Sequence, residues 1–353
     1  MVTVMSDETQ PSVSLFAAQQ SMLCERLHRL LAVLHPLLYT DVVQALKGPG
    51  KLLSRPDTGI DPLNPSHIAG VWSLLTLLIA QHISPNIDPE YASSVAVAVE
   101  CFVCALDLLD DIEDDDQTPI VQALGMPRAL NLSTALLALT QHAVLSLSKQ
   151  DITPALILCL LETFQESSLT ATSGQHRDLL AEQRLAQDLT QEECIEIAAG
   201  KAGTIMRLAC RLGALCAGAD DTLCAQFSEL GALLGIAHQL DNDCHDLYYL
   251  LQDNISTIIP GEIVETRKSV KTDLVRGKKT LPVVLAAKIS DPLQKALVSS
   301  DEEGGRYLQA LHEGIITTWG ICLLYRERAR DCLQKIDAQK PVAPALRFLL
   351  GLQ

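Results

Sequence analysis

Apolar residues recur at three- and four-residue spacing along almost the whole chain. The pattern begins with Leu23, Leu27, Leu30, Leu31 and Leu34. It returns in Trp72–Ile79, Leu130–Leu147, Ile152–Phe164, Cys194–Leu215 and Phe227–Leu240. Strict alternation over strand-length runs is nearly absent, so the pattern predicts an all-α protein of about ten to twelve helices. Turn chemistry punctuates it at Lys47–Gly50, Arg55–Pro65, Ser84–Pro89, Thr118–Pro119, Ser148–Pro154, Gly218–Asp221, Ile259–Gly261 and Ser290–Pro292. No composition shift, long linker or fixed-period repeat marks a second domain. The expected organisation is a flexible tail over residues 1–20 and a single domain over 21–353.

The most apolar runs are too short or too interrupted to predict a transmembrane segment. Ile68–Ala80 falls short of the roughly 18 to 20 residues needed, and Ala92–Leu109 is broken by Glu100 and Asp107. Both read as buried helices of a large core. Over 353 residues, 48% are hydrophobic and 20% charged, which is too apolar for a disordered chain. Net charge is −16, from 43 acids against 27 bases, and argues against nucleic acid or an anionic lipid surface as partner. Eleven cysteines are scattered through apolar stretches, among them Cys159, Cys210, Cys216 and Cys322. They read as small buried hydrophobes in a reducing compartment, and Cys101 with Cys104 lacks the second pair a zinc site needs. Met1 to Pro11 is polar, with Asp7 and Glu8 where a secretory signal is basic and then apolar. The expected location is the cytoplasm.

Two acidic clusters follow apolar helices directly. Residues 107–116 read Asp-Leu-Leu-Asp-Asp-Ile-Glu-Asp-Asp-Asp. On a helix, Asp107, Asp110, Asp111 and Asp114 stack on one face, where like charges repel unless a cation intervenes. A solvated helix end accounts for such a run in isolation, but Asp107 and Asp110 sit within the apolar register. The second cluster, Gln239-Leu-Asp-Asn-Asp-Cys-His-Asp246, places Asn242 and Asp246 four apart with Asp243 beside them. Oxygen ligands without paired Cys or His suit a hard cation, Mg²⁺ rather than zinc. Several such ions would in turn bind a diphosphate. Lys201, and a group of Lys268, Lys271, Lys278 and Lys279, offer the positive charge its oxygens need.

Together these residues resemble the polyprenyl synthetase family of class I isoprenoid enzymes. Asp110-Asp111-Ile-Glu-Asp114 is similar to the family's first aspartate-rich motif, and Asn242-Asp243-Cys-His-Asp246 to the second, with Asn in place of its first Asp. Gln239, Gly174-Gln175-His-Arg-Asp178, Lys201, Lys268 and Gly277-Lys278-Lys-Thr-Leu-Pro282 match in order. The resemblance implies an isoprenoid-synthase-like helical bundle with the two motifs facing a central cavity. Asp110, Asp111, Asp114, Asn242, Asp243 and Asp246 would hold Mg²⁺ on an allylic prenyl diphosphate. Lys201, Lys268 and Lys278 would neutralise its oxygens, Gln239 would support them, and a homodimer is expected. Ala105, five positions before Asp110, is small where the family often places a bulky stop for the growing chain.

The second-diphosphate half of the pattern departs from the family. Its Gly-Gly-Lys-x-x-Arg-Pro element is reduced to Gly50-Lys51-Leu-Leu-Ser-Arg55-Pro56, which leaves Lys51 and Arg55 as weakened diphosphate ligands. Val103 stands at an expected His, and Asp115-Asp116-Gln-Thr-Pro119 replaces an expected pair of arginines. Within the family, the acidic run, Gly174-Gln-His and the Asn242-Asp243 form are similar to the isoprenyl transferases of competence-pheromone peptides. Three functions compete: prenyl transfer to isopentenyl diphosphate or to a non-diphosphate acceptor such as a peptide side chain; terpene cyclisation; and a non-catalytic subunit. Missing second-subsite elements favour cyclisation, whereas only 4% aromatic residues disfavour it. The retained acids and lysines speak against a non-catalytic role.

Overall fold

The computed structural model describes residues 12–54, 68–256, 277–289 and 302–352, and these are helical with no strand among them. They fall into two compact units interleaved in sequence. One comprises the described residues within 1–166, 207–230 and 332–353, and the other those within 167–206 and 231–331. Because each unit draws on separate stretches of the same helical pattern, no composition shift separates them.

The first unit begins with α1 (Ser12–Leu31) and α2 (Pro36–Ala45). The helix starts inside the tail expected over 1–20: it is formed from Ser12, and Phe16 is buried against Phe348, with ring centroids 6.1 Å apart. Next come α3 (Val71–Ile83) and α4 (Pro89–Glu113), with α4 at the centre of the unit. Asp88 caps α4 by accepting from Glu90 N at 2.8 Å, and Pro89 occupies the first turn, where a missing N–H costs nothing. Every residue from Tyr91 to Ala105 is buried. By length and composition α4 matches a membrane-spanning helix, yet 83% of its most apolar window is buried inside the protein, as in a core helix. It packs against α1, α3 and α6 (Met126–Leu145), with α5 (Pro119–Leu124) between α4 and α6 in sequence. Met126–Lys149 also has spanning length and composition, with 44% of its window buried. Glycine permits one close crossing in this unit: a Cβ on Gly213 of α9 (Thr204–Cys216) would come 2.6 Å from the Thr76 carbonyl of α3.

The second unit uses the later part of α7 (Pro154–Glu182), then α8 (Gln191–Ala198), the later part of α10 (Asp221–Ser256), α11 (Leu281–Ile289) and α12 (Glu302–Gln339). One apolar cluster joins Ala181, Cys194, Ala198, Ile236, Leu240, Leu281 and Val284. A second joins Cys244, Leu247, Val283, Ala286, Leu311 and Ile315. These fix α10 and α11 as the walls of the functional region. The short α13 (Pro344–Leu349) closes the chain in the first unit. All eleven cysteines are free thiols.

Candidate active site

In the first unit, Asp110 and Asp111 lie on the last turn of α4 and Asp114 is its C-cap. All three are half-buried, while Asp115 turns the chain out with φ 54°. Thr118 Oγ1 donates to Asp111 Oδ2 at 2.9 Å, and Asp116 N donates to the Asp111 carbonyl at 2.7 Å. The chain thus hooks back beneath the motif and holds its second carboxylate. Carboxylates here meet the negative end of the helix dipole as well as one another, an arrangement that favours a bound cation.

One turn earlier, Asp107 forms an ion pair with Lys51, whose side chain is only 12% exposed. Burial pulls the Lys51 ammonium pKa down, but the Asp107 charge and other nearby groups outweigh it and raise the value. Beneath the pair, fully buried Glu100 accepts from Leu52 N and from Ser73 Oγ, each at 2.8 Å. Burial pushes the Glu100 carboxyl pKa up, while Lys51 and the hydrogen bonds oppose the shift. The acid interrupting the apolar run of α4 is therefore the anchor of the loop that carries Lys51. Arg55, its expected companion, lies outside the described residues, as does Lys268.

In the second unit, the structure brings Lys201, Gln239, Asp243 and Lys278 into one cleft, together with Asp178, Cys194, Lys279 and Thr280. Lys201 sits on a π-turn, Ala199–Gly203, between α8 and α9. Such turns offset the helix by a residue and are frequent at functional sites. Small residues permit this one. A Cβ on Gly200 would meet the backbone of Gly174 on α7 at 2.7 Å, and one on Gly235 of α10 would lie 2.4 Å from the Ala202 carbonyl. Thr204 Oγ1 satisfies the Ala199 carbonyl at 3.1 Å. Clamped in this way, Lys201 donates to Asp178 Oδ2 at 2.7 Å, both side chains being about 15% exposed.

Asp243 is buried in the middle of α10, where Gln239 Nε2 donates to its Oδ1 at 2.9 Å. Asn242 is exposed and its amide lies 3.4 Å from His238 Nε2, while Asp246 is half-buried one turn on from Asn242. Neither Asn242 nor Asp246 lines the cleft. His245 points to the surface, donating from Nδ1 to the Asp241 carbonyl at 2.8 Å and lying edge-on to Trp319. Gly277, at φ 80°, turns the chain so that Lys278 and Lys279 enter the cleft just before α11. Burial lowers the Lys279 pKa, with Glu182 opposing. Cys194 is pushed up to about 12 by burial and then by Asp243, so it is a neutral wall rather than a nucleophile.

Sequence reasoning left out Asp178 as the Lys201 partner, and Thr280 and Cys194 as lining, while Lys279 stands in the cleft as one of the lysines grouped with Lys278. Asp178 carried a usable signal, since it ends the quoted Gly174–Asp178 segment.

Among the described residues, no three His, Cys, Asp or Glu side chains converge into a metal cage. The donors are carboxylate and amide oxygens set along two helices. That set fits Mg²⁺, which keeps one or two carboxylates and takes its remaining oxygens from water and substrate phosphate. It does not fit zinc.

Helices without strands among the described residues, carboxylates ending an apolar helix and Lys201 clamped in a cleft are the features expected of the isoprenoid-synthase class. A polyprenyl synthetase from Streptomyces coelicolor A3(2) superposes with a TM-score of 0.72, covering 96% of this chain and 98% of that one at 23% identity, which establishes the fold. Residues 71–305 match the polyprenyl synthetase family, and the chain belongs to that family. Among its relatives, a geranylgeranyl diphosphate synthase of Mycobacterium tuberculosis is 32% identical over 62% of this chain and 59% of its own length, less than two thirds of that relative. A tryptophan prenyltransferase, ComQ, of Bacillus spizizenii is 30% identical over 47% of this chain and 53% of its own.

Proposed function

We propose that the chain is a Mg²⁺-dependent prenyltransferase that ionises an allylic prenyl diphosphate and passes the prenyl group to an acceptor. The acceptor is isopentenyl diphosphate or a group without a diphosphate, such as a peptide side chain. The observation that carries this reading is the cleft in which a held ammonium, Lys201, meets Asp243, Gln239 and Lys278. Cations for phosphate oxygens and a carboxylate for a metal ion stand there together. The names of the relatives cover both kinds of acceptor, a diphosphate synthase and a tryptophan prenyltransferase.

Asp110, Asp111 and Asp114, and Asn242, Asp243 and Asp246, would hold Mg²⁺, which supplies Lewis-acid stabilisation of the diphosphate leaving group. Lys201 and Lys278 bind the diphosphate oxygens and stabilise charge as it develops on them. Asp178 orients the Lys201 ammonium, and Gln239 orients Asp243. Lys268 and Arg55 keep the diphosphate-binding roles the resemblance gives them. Buried Ala105 and Leu108, just before the first motif, keep water from the allylic cation. Free thiols throughout suit a cytoplasmic enzyme. A homodimer is the assembly the family resemblance implies.

Cyclisation is the second reading, favoured by the commitment of Lys51 to Asp107. Incubation with Mg²⁺ and geranyl, farnesyl or geranylgeranyl diphosphate, each with and without isopentenyl diphosphate, separates the two. Longer diphosphates mean elongation, and hydrocarbons from the allylic substrate alone mean cyclisation. Absence of Mg²⁺-dependent binding of all three allylic diphosphates overturns the prenyltransferase reading.

A further inference from the structure

The described part of the loop that carries Lys51 is held at several points. Leu53 N donates to the Leu46 carbonyl at 2.9 Å, and Gly70 N donates to the Gly50 carbonyl at 2.9 Å. A side chain on Gly70 would strike Leu52 at 2.6 Å, so loop and α3 are in direct contact. Glu100 grips Leu52 N from below. The backbone on both sides of Lys51 is anchored, and its ammonium is paired with Asp107. A cation serves a polyanionic ligand only if its charge is exposed to that ligand. Lys201 is paired too, with Asp178, but it opens onto a cleft that Lys278 and Lys279 share. At Lys51 the half-exposed Asp107 carboxylate neutralises the ammonium and adds its own repulsion toward an approaching diphosphate. Asp115 and Asp116, which follow the motif, add negative charge rather than positive.

We propose that Asp107 is a specificity-determining residue: its ion pair with Lys51 withholds that ammonium from a second diphosphate, so the acceptor carries no diphosphate. This rests on the prenyltransferase reading and narrows it. Asp107 does not touch the reacting atoms; it acts through Lys51 by deciding what that lysine binds. The acceptor class left is a neutral nucleophile, of which a peptide side chain is one.

The test is calorimetric titration of the full chain with isopentenyl diphosphate in Mg²⁺, for wild type, Asp107→Asn, Lys51→Met and the double variant. Wild type and Lys51→Met bind equally weakly. Asp107→Asn binds about tenfold tighter, as one gained charged hydrogen bond implies, and adding Lys51→Met to it removes the gain. An unchanged affinity in Asp107→Asn overturns the proposal, as does a gain that survives loss of Lys51. Should Asp107→Asn fail to fold, Lys51→Met still decides: a tenfold weakening in that variant shows that Lys51 already binds the ligand and overturns the proposal. Titration with farnesyl diphosphate in parallel separates the two levels of inference. Failure of wild type to bind it overturns the prenyltransferase reading, whereas binding of it with no effect of Asp107→Asn overturns only the role of Asp107.

Discussion

The two acidic motifs have similar spacing and opposite surroundings. The first ends a helix: Asp110, Asp111 and Asp114 crowd the negative pole of α4 and share one half-buried turn. The second lies mid-helix, with Asp243 buried and its carboxylate taken up by Gln239 one turn before. A cation would relieve the repulsion at the end of α4, whereas Asp243 lines the cleft with its carboxylate already held by Gln239. The first motif is thus crowded with charge at a helix end, while the second has its central carboxylate fixed within the fold.

Activity should not distinguish them. Asp111→Ala and Asp243→Ala should each lower Mg²⁺-dependent turnover of an allylic diphosphate by about a hundredfold or more, since even residues supporting a metal ligand cost 10- to 100-fold. Full turnover in either variant breaks the assignment of that motif. Backbone contact near the second cleft should be nearly as demanding. Gly235→Ala drives a methyl to 2.4 Å from the Ala202 carbonyl. It should cost about 1–3 kcal/mol in chemical denaturation and displace Lys201 with the π-turn. Stability then separates the motifs. Asp243→Ala strands the Gln239 amide and should cost about 1–3 kcal/mol. Asp111→Ala loses the Thr118 hydrogen bond but relieves repulsion in the same step, and should stay within about 0.5 kcal/mol in metal-free protein. Equal losses in the two would erase the contrast.

A smaller effect lies at the start of α8, where Thr190 and Glu193 form a reciprocal cap. The Arg184 hydrogen bond, and then the Thr190 backbone, lower the Glu193 pKa from its ordinary 4.5 to about 2. A depressed folded-state value means the stabilisation is present above pH 4.5 and is lost as pH falls toward 2. Protection of the α8 amides, corrected for intrinsic exchange, should fall across that window in wild type and much less in Glu193→Gln.

Much of this was legible in the sequence because helical period and oxygen spacing are local properties. The burial of α4 followed from its apolar run, and the carboxylate pairs from their spacing. Lys201 was legible as a residue, but its clamp was not: contact between Gly200 and Gly174 joins positions far apart in sequence, and glycine carries no periodic signal. The Asp107–Lys51 pair was hidden for the same reason, since it links α4 to a loop 56 positions away. Glu100 gave a trace of it as an acid in an apolar run, a position that demands buried partners. Phe16 shows the converse. A polar, weakly patterned start suggested a tail, and one aromatic packed on Phe348 overrode that local impression.

The central claim is that these carboxylates bind an allylic diphosphate through Mg²⁺. The most direct measurement is calorimetric binding of farnesyl thiolodiphosphate, an analogue that resists ionisation, to wild type, Asp111→Asn and Asp243→Asn, with and without Mg²⁺. Binding to wild type only in the presence of Mg²⁺, with strong loss in both variants, is the predicted result. Equal binding in the absence of Mg²⁺, or undiminished binding in both variants, would contradict it.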